Sequence, residues 1–211
     1  MSSAPADPSP IAEPDGWELR RRHVAARLET TALEMFADSG YPAVTVPDIA
    51  REAGMSARTA ARYFALKEDF LLAFPRRSAK ATLARLRDIE DTADPVLAVW
   101  DALAELAHGA RDRLPEFKLW DRAARTAPTV HAQAEGELRR SVSQALVDFF
   151  SRRLGADPAT DLRPRLLANM LSAANETVLT HWLDGNGAAD TESLMAQARP
   201  LIERLAHDHR G

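Results

Sequence analysis

Apolar positions recur at three- and four-residue intervals along most of this chain, with polar residues filling the rest of each turn. Val24, Leu28, Ala32, Met35 and Phe36 form the first stripe, closed by Gly40 and Pro42, so the spacing predicts a helix that begins at Trp17. Thr45 stands three residues before Asp48 with Pro47 between them, a capping-box arrangement that predicts a short helix from Val46 to about Ala53. Gly54 permits the chain to reverse, and Ser56 caps a third helix, about Ala57 to Phe64. A fourth begins at Lys67 and runs to about Asp91, with a kink expected at Pro75. A fifth begins at Pro95 and ends near Arg113, with Val96, Val99, Trp100, Leu103, Leu106 and Ala107 on one broad apolar face. Helices are further predicted over 115–126, 128–154 and 158–184, each opened by a proline, and after the turn at 184–187 a last one runs from Thr191 to His207. The expected fold class is all-α, about nine helices, with no internal repeat.

Composition sharpens this picture. Ala, Leu, Arg and Glu dominate and runs of β-branched residues are almost absent, which favours helix. The chain has no cysteine, so disulfides, thiol catalysis and thiolate metal sites are excluded. No stretch approaches the roughly 20 apolar residues of a membrane span, and the N-terminus lacks the basic and apolar regions of a signal peptide, so a cytoplasmic protein with no membrane partner is expected. Residues 1–16 carry four prolines, three acids and little that can be buried, and are expected to be a disordered tail.

The net charge of −4 conceals a division along the chain. Residues 17–80 hold 11 Lys and Arg against 8 Asp and Glu, while residues 81–211 hold 16 against 20. The N-terminal third is therefore the basic part, the reverse of what the whole-chain charge suggests.

Within that third, the predicted third helix has two unlike faces. Ala60, Tyr63 and Phe64 can pack inward, while Ala57, Arg58, Ala61 and Arg62 lie opposite. Two guanidinium forks framed by alanines let a backbone approach a surface closely, and arginine geometry suits both guanine edges and phosphate. A solvated face is the plainer reading of two arginines. Two capped helices across a three-residue glycine turn, however, make a helix-turn-helix, whose second helix reads a major groove. Arg20, Arg21 and Arg22, at the start of the first helix, are placed to meet phosphates or the minor groove.

The stretch "ALEMFADSGYPAVTVPDIAREAGMSARTAARYFALKEDFLLAF" resembles the DNA-binding domain of the TetR family of bacterial transcriptional repressors, over about residues 17–75. The resemblance implies DNA contacts from Thr45, Arg58, Thr59, Arg62, Tyr63 and Lys67. It departs from the usual pattern at Ala60 and Ala61, where larger residues are common, and at Leu66, where a serine cap is usual. Residues 17–66 are thus expected to be the DNA-binding domain and residues 67–211 a ligand-binding and dimerisation domain. The C-terminal region, including "DPATDLRPRLLANMLSAANETVLTHWLDGNG", is similar, less specifically, to family members with acyl-coenzyme-A-like ligands, including the mycofactocin-associated type.

The resemblance also implies a homodimer on a palindromic double-stranded operator, released by a small hydrophobic effector. Leu167, Leu171, Val178 and Trp182 on the eighth helix, with Leu194, Ala198, Leu201 and Leu205 on the ninth, form the expected dimer seam, although such stripes also suit a core. Trp100, His108, Phe117, Trp120, Phe149 and Asn175 are the candidate effector contacts, the aromatic ones equally compatible with a core. No Gly-rich phosphate loop, nucleophile elbow or clustered histidines support catalysis, a metal or a cofactor. A helical enzyme or small-molecule carrier with a vestigial DNA-binding head is the alternative.

Overall fold

The computed structural model describes residues 16–89, 94–108 and 112–208, so the expected tail lies outside the described residues except for Gly16. The elements in order are α1 (Gly16–Ser39), a one-turn 3-10 helix (Tyr41–Ala43), α2 (Val46–Glu52), α3 (Ala57–Tyr63), α4 (Glu68–Arg87), α5 (Pro95–Ala107), α6 (Leu114–Arg125), α7 (Pro128–Leu154), α8 (Arg163–Asp184) and α9 (Thr191–Asp208). No strand occurs among the described residues. The fold is all-α, and most sequence-predicted boundaries fall within a residue or two.

Three boundaries differ, each for a tertiary or capping reason. α5 stops at Ala107, whose carbonyl accepts the buried Thr191 hydroxyl at 3.0 Å, so the start of α9 supplies a bond that another helical turn would otherwise provide. α4 ends at Arg87, the expected residues 90 and 91 lie outside the described residues, and the Ile89 carbonyl is held by the Arg153 guanidinium of α7 at 3.0 Å. Pro158 opens a turn closed by the Asp157 carbonyl, and α8 starts only after Asp161, whose carboxylate accepts the Arg163 N–H at 2.9 Å. Pro158 and Pro164 both suit the first turn of a helix, and α8 uses the second.

Two apolar clusters organise the chain. One joins Leu28, Leu33, Phe36, Ile49, Phe64 and Phe70 of the first four helices to Trp120, Ala123 and Ala124 of α6. The other packs α5, α7, α8 and α9 together around Trp100, Phe150 and Leu171, with Leu86 from the end of α4. α4 runs from the first cluster into the second, and α6 belongs with the first although it lies some fifty residues beyond it in sequence. The packing thus does not divide at the sequence-expected domain boundary near residue 66.

The attachment of α6 follows from one proline. Pro75, buried inside α4, has no N–H, so the Leu71 carbonyl one turn earlier lacks its ordinary helical donor. The Trp120 indole N–H donates to that carbonyl at 2.9 Å in a buried contact. The same indole stacks on Phe74 with centroids 5.5 Å apart, and Phe117 meets Phe74 edge-on at 5.0 Å. Farther along, the Thr126 hydroxyl accepts the Tyr41 N–H at 3.0 Å and lies 3.2 Å from the Phe36 carbonyl. Arg77 closes the other flank, donating to Glu29 of α1 at 2.5 Å and to Glu116 of α6 at 2.6 Å. Burial pushes the Glu29 carboxyl above its ordinary pKa even though Arg77 opposes this.

Trp120→Phe should leave the Leu71 carbonyl buried without a donor and lower unfolding free energy by about 1–3 kcal/mol in urea melts. Pro75→Ala restores a backbone donor to that carbonyl. The double variant should therefore lose less than the sum of the two single losses, whereas strict additivity would refute the pairing.

Candidate nucleic-acid interface

The N-terminal head presents its basic face through two short helices that are locked at both ends. Thr45 caps α2 by accepting the Asp48 N–H at 3.3 Å, and the Asp48 carboxylate accepts the Thr45 N–H at 3.2 Å. The Thr45 hydroxyl, with Arg51 beside it, holds the Asp48 carboxyl below the ordinary carboxylate range. At the other end, Met55 N–H reaches the Ala50 carbonyl at 2.8 Å and Gly54 N–H reaches that of Arg51 at 3.0 Å, the paired bonds of a Schellman ending. Gly54 has φ +67°, and a β-carbon there would lie 3.3 Å from the Arg27 guanidinium. Arg27 of α1 therefore flanks the turn, a basic neighbour that the sequence pattern did not single out because it is brought there by tertiary packing.

α3 is capped by Ser56, whose hydroxyl accepts the Thr59 N–H at 3.1 Å and shares a hydrogen bond with the Thr59 hydroxyl at 2.8 Å. Ala60 is fully buried, and Phe64 stacks on Phe70 with centroids 4.2 Å apart. Tyr63 is half-buried against the same cluster. The opposite face leaves Ala57, Arg58, Ala61 and Arg62 exposed, as the spacing predicts. The small Ala60 is accommodated by this contact, which seats the helix directly against the core.

Arg20, Arg21 and Arg22 are exposed in the opening turns of α1, with Arg21 over the Trp17 ring at 5.6 Å and Arg22 within 3.7 Å of Glu18. Lys67 differs from the other basic residues. Its ammonium donates to the Tyr41 carbonyl and stands 4.1 Å from the Tyr41 ring centroid. Burial lowers its pKa, while Glu68 acts in the opposite sense. It braces α4 against the 3-10 turn, so any phosphate contact from Lys67 competes with this bond.

The candidate effector residues divide between the two clusters and the surface. Trp100 and Phe149 are buried in the second cluster, Phe117 and Trp120 pack with the first, Asn175 is half-buried, and His108 is exposed with its imidazole 3.5 Å from Glu192. Asn169 and His181, polar positions within the apolar pattern of α8, are exposed. Aromatic spacing cannot separate two cores from one cavity, which is why the sequence grouped them. Of the expected dimer seam, Leu167, Leu171, Val178 and Trp182 are buried in the single chain, and Leu194 and Ala198 are half-buried against the second cluster. Leu201 faces outward, as do Leu162, Leu166 and Met170, while the Leu205 side chain lies outside the described residues. No group of three or more potential metal ligands occurs among the described residues.

Comparison with known proteins places this head and body. Residues 30–74 match the family described as bacterial regulatory proteins, tetR family, and residues 93–206 match the MftR C-terminal domain. A protein of Mycobacterium tuberculosis provisionally named mycofactocin biosynthesis transcriptional regulator MftR is 30% identical over 180 residues, covering 84% of this chain and 88% of its own. The HTH-type transcriptional regulator TcmR of Streptomyces glaucescens is 30% identical over 194 residues, covering 86% and 84% respectively. Among solved structures, Salmonella enterica GusR superposes with a TM-score of 0.61 at 18% identity, over 93% of this chain and 98% of that one, a likeness of fold.

Arg58 and Arg62 have no intramolecular partner among the described residues, so their removal should leave stability intact. Arg58→Ala and Arg62→Ala should each weaken binding to a selected duplex by about 1–3 kcal/mol, read by fluorescence anisotropy. Lys67→Ala should instead lower the melting temperature as well as DNA affinity. Unchanged affinity in both arginine variants would remove α3 from the recognition role.

Proposed function

Because the chain belongs to the TetR family of bacterial transcriptional regulators and to its MftR type, a DNA-binding regulator and not an enzyme, we propose that α3 reads an operator half-site and that a bound effector releases it. The single observation that carries the DNA assignment is the exposed Arg58 and Arg62 pair, unpartnered and flanked by alanines, on a helix whose other face is locked into the core. Arg20, Arg21, Arg22 and Arg27 extend the basic surface along α1 for phosphate contacts. Both curated relatives named above are described as transcriptional regulators, which supports this reading over the carrier or enzyme alternative.

Family members act on operator DNA as dimers. Our reading is that this chain binds a palindrome, with half-sites one helical turn, about 34–36 Å, apart. It acts as a repressor, and its effector has a hydrophobic body with an anionic group, in the manner of an acyl-coenzyme-A. No helix among the described residues is long and apolar enough to cross a membrane, and action in the cytoplasm is part of the reading.

The proposed dimer contact uses the outward face of α8 and α9. Leu166, Met170 and Leu201 are 54%, 39% and 57% exposed, respectively, in the single chain, whereas the inward stripe is already used. A second copy supplies the apolar cover that this face lacks. An effector acts by favouring one spacing of the two heads over another, which requires unequal affinity for the two arrangements.

Light scattering on Leu166→Glu combined with Met170→Glu should show a folded monomer, with helical circular dichroism preserved. Removing α9 is a poorer test, because Met195 and Ile202 belong to the second core and their loss destabilises the subunit itself. A double variant that stays dimeric at micromolar concentration would place the contact elsewhere.

A further inference from the structure

α3 carries few groups that can tell one base from another. Its seven residues include no amide and no carboxylate side chain, so it lacks both the paired donor and acceptor that suit adenine and the acceptor that suits the amino group of cytosine. The two hydroxyl groups near its start are engaged with each other: Ser56 and Thr59 share a hydrogen bond at 2.8 Å, and Ser56 also accepts the Thr59 N–H at 3.1 Å. Tyr63 is half-buried against the core of the head. The exposed remainder is Arg58 and Arg62, without an intramolecular partner among the described residues, and the methyl groups of Ala57 and Ala61.

Each kind of group matches one base. A guanidinium meets O6 and N7 of guanine through two parallel bonds, and no other base presents two acceptors side by side in the major groove. An alanine methyl meets the C5-methyl of thymine, the one apolar group on the same edges. The spacing limits how far apart the bases lie. Four residues of helix set Arg58 and Arg62 about 6.0 Å apart along the axis, and stacked base pairs are about 3.4 Å apart, so the two side chains span at most two base steps. Ala61 falls between them along the axis.

We propose that α3 specifies a half-site with two guanines, on one strand or on opposite strands, no more than two base steps apart, and a thymine within or beside that pair. Arg58 and Arg62 read the guanines, the Ala61 methyl reads the thymine, and no side chain of α3 selects adenine or cytosine. The inference rests on the proposed reading of an operator by α3 and extends it by assigning bases to side chains. An arginine held by phosphate carries no sequence information, so the two roles differ in how affinity responds to a changed base.

The test is selection from a random duplex pool by the full-length protein, followed by fluorescence anisotropy on the selected duplex. The selected half-site should contain the guanine pair and the thymine. Replacing either guanine by 7-deazaguanine removes N7 while keeping the base pair, and should weaken wild-type binding at least about fivefold. The same replacement should cost less than about twofold in the variant that lacks the matching side chain, Arg58→Ala for one guanine and Arg62→Ala for the other. Uracil in place of the thymine removes only the methyl and should weaken wild-type binding about two- to fivefold, a difference lost in Ala61→Gly. Each variant is compared with itself on two duplexes, so a change in its stability leaves the ratio unmoved. A selected site without the guanine pair, or a 7-deazaguanine effect that is absent or equal in wild type and both arginine variants, overturns the guanine assignment. A selected site without the thymine, or an effect of uracil that is absent from wild type or persists in Ala61→Gly, overturns the thymine assignment. Failure to enrich any sequence is a different result: it removes the proposed operator reading itself, and the base assignment with it.

Discussion

The Leu71 carbonyl is the point on which the arrangement of this molecule turns. A proline within α4 deprives it of a backbone donor, and a buried carbonyl without a donor costs about 1–3 kcal/mol. Trp120 supplies the bond from α6 and brings its ring onto Phe74. What would be a local defect in one helix becomes a fixed contact between the DNA-binding head and a helix that lies far along the sequence. Thr126 and the Glu29–Arg77–Glu116 cluster repeat the attachment at two further points, so head and α6 share one core.

That attachment gives the recognition surface its meaning. α3 has only seven residues and gains little from its own hydrogen bonding. Its orientation comes from Ser56 at one end, Ala60 and Phe64 beneath, and the Gly54 turn that joins it to α2. With the inner face committed, Arg58 and Arg62 stay exposed, without an intramolecular partner among the described residues. α4 connects this head to the body, and with the proposed dimer contact on the outward face of α8 and α9 the separation of two heads depends on how α4 lies against α6 and α7.

Much of this was legible in the sequence because it is written locally. Thr45, Asp48, Gly54 and Ser56 specify caps and a turn by their spacing alone, and the two faces of α3 follow from helical periodicity. The resemblance added roles for those positions. What escaped was set by distant contacts: Arg27 reaching the α2–α3 turn, Lys67 bonded to Tyr41, α5 ended by Thr191. The stripe of Leu167, Leu171, Val178 and Trp182 was visible, but periodicity does not say whether the cover is the same chain or another. The same ambiguity holds for the aromatic residues, since Trp100 and Trp120 lie in different clusters.

The most direct test of this account is the distance between the two heads. A nitroxide on Thr30→Cys, at an exposed α1 position in a chain that otherwise has no thiol, reports that distance by pulsed electron resonance in the dimer. The account predicts one narrow distribution for the wild-type background bound to a selected operator. In a Trp120→Phe background it predicts a broader distribution in the free dimer and weaker operator binding, with α3 unaltered. Identical distributions and identical operator affinity in the two backgrounds would contradict it.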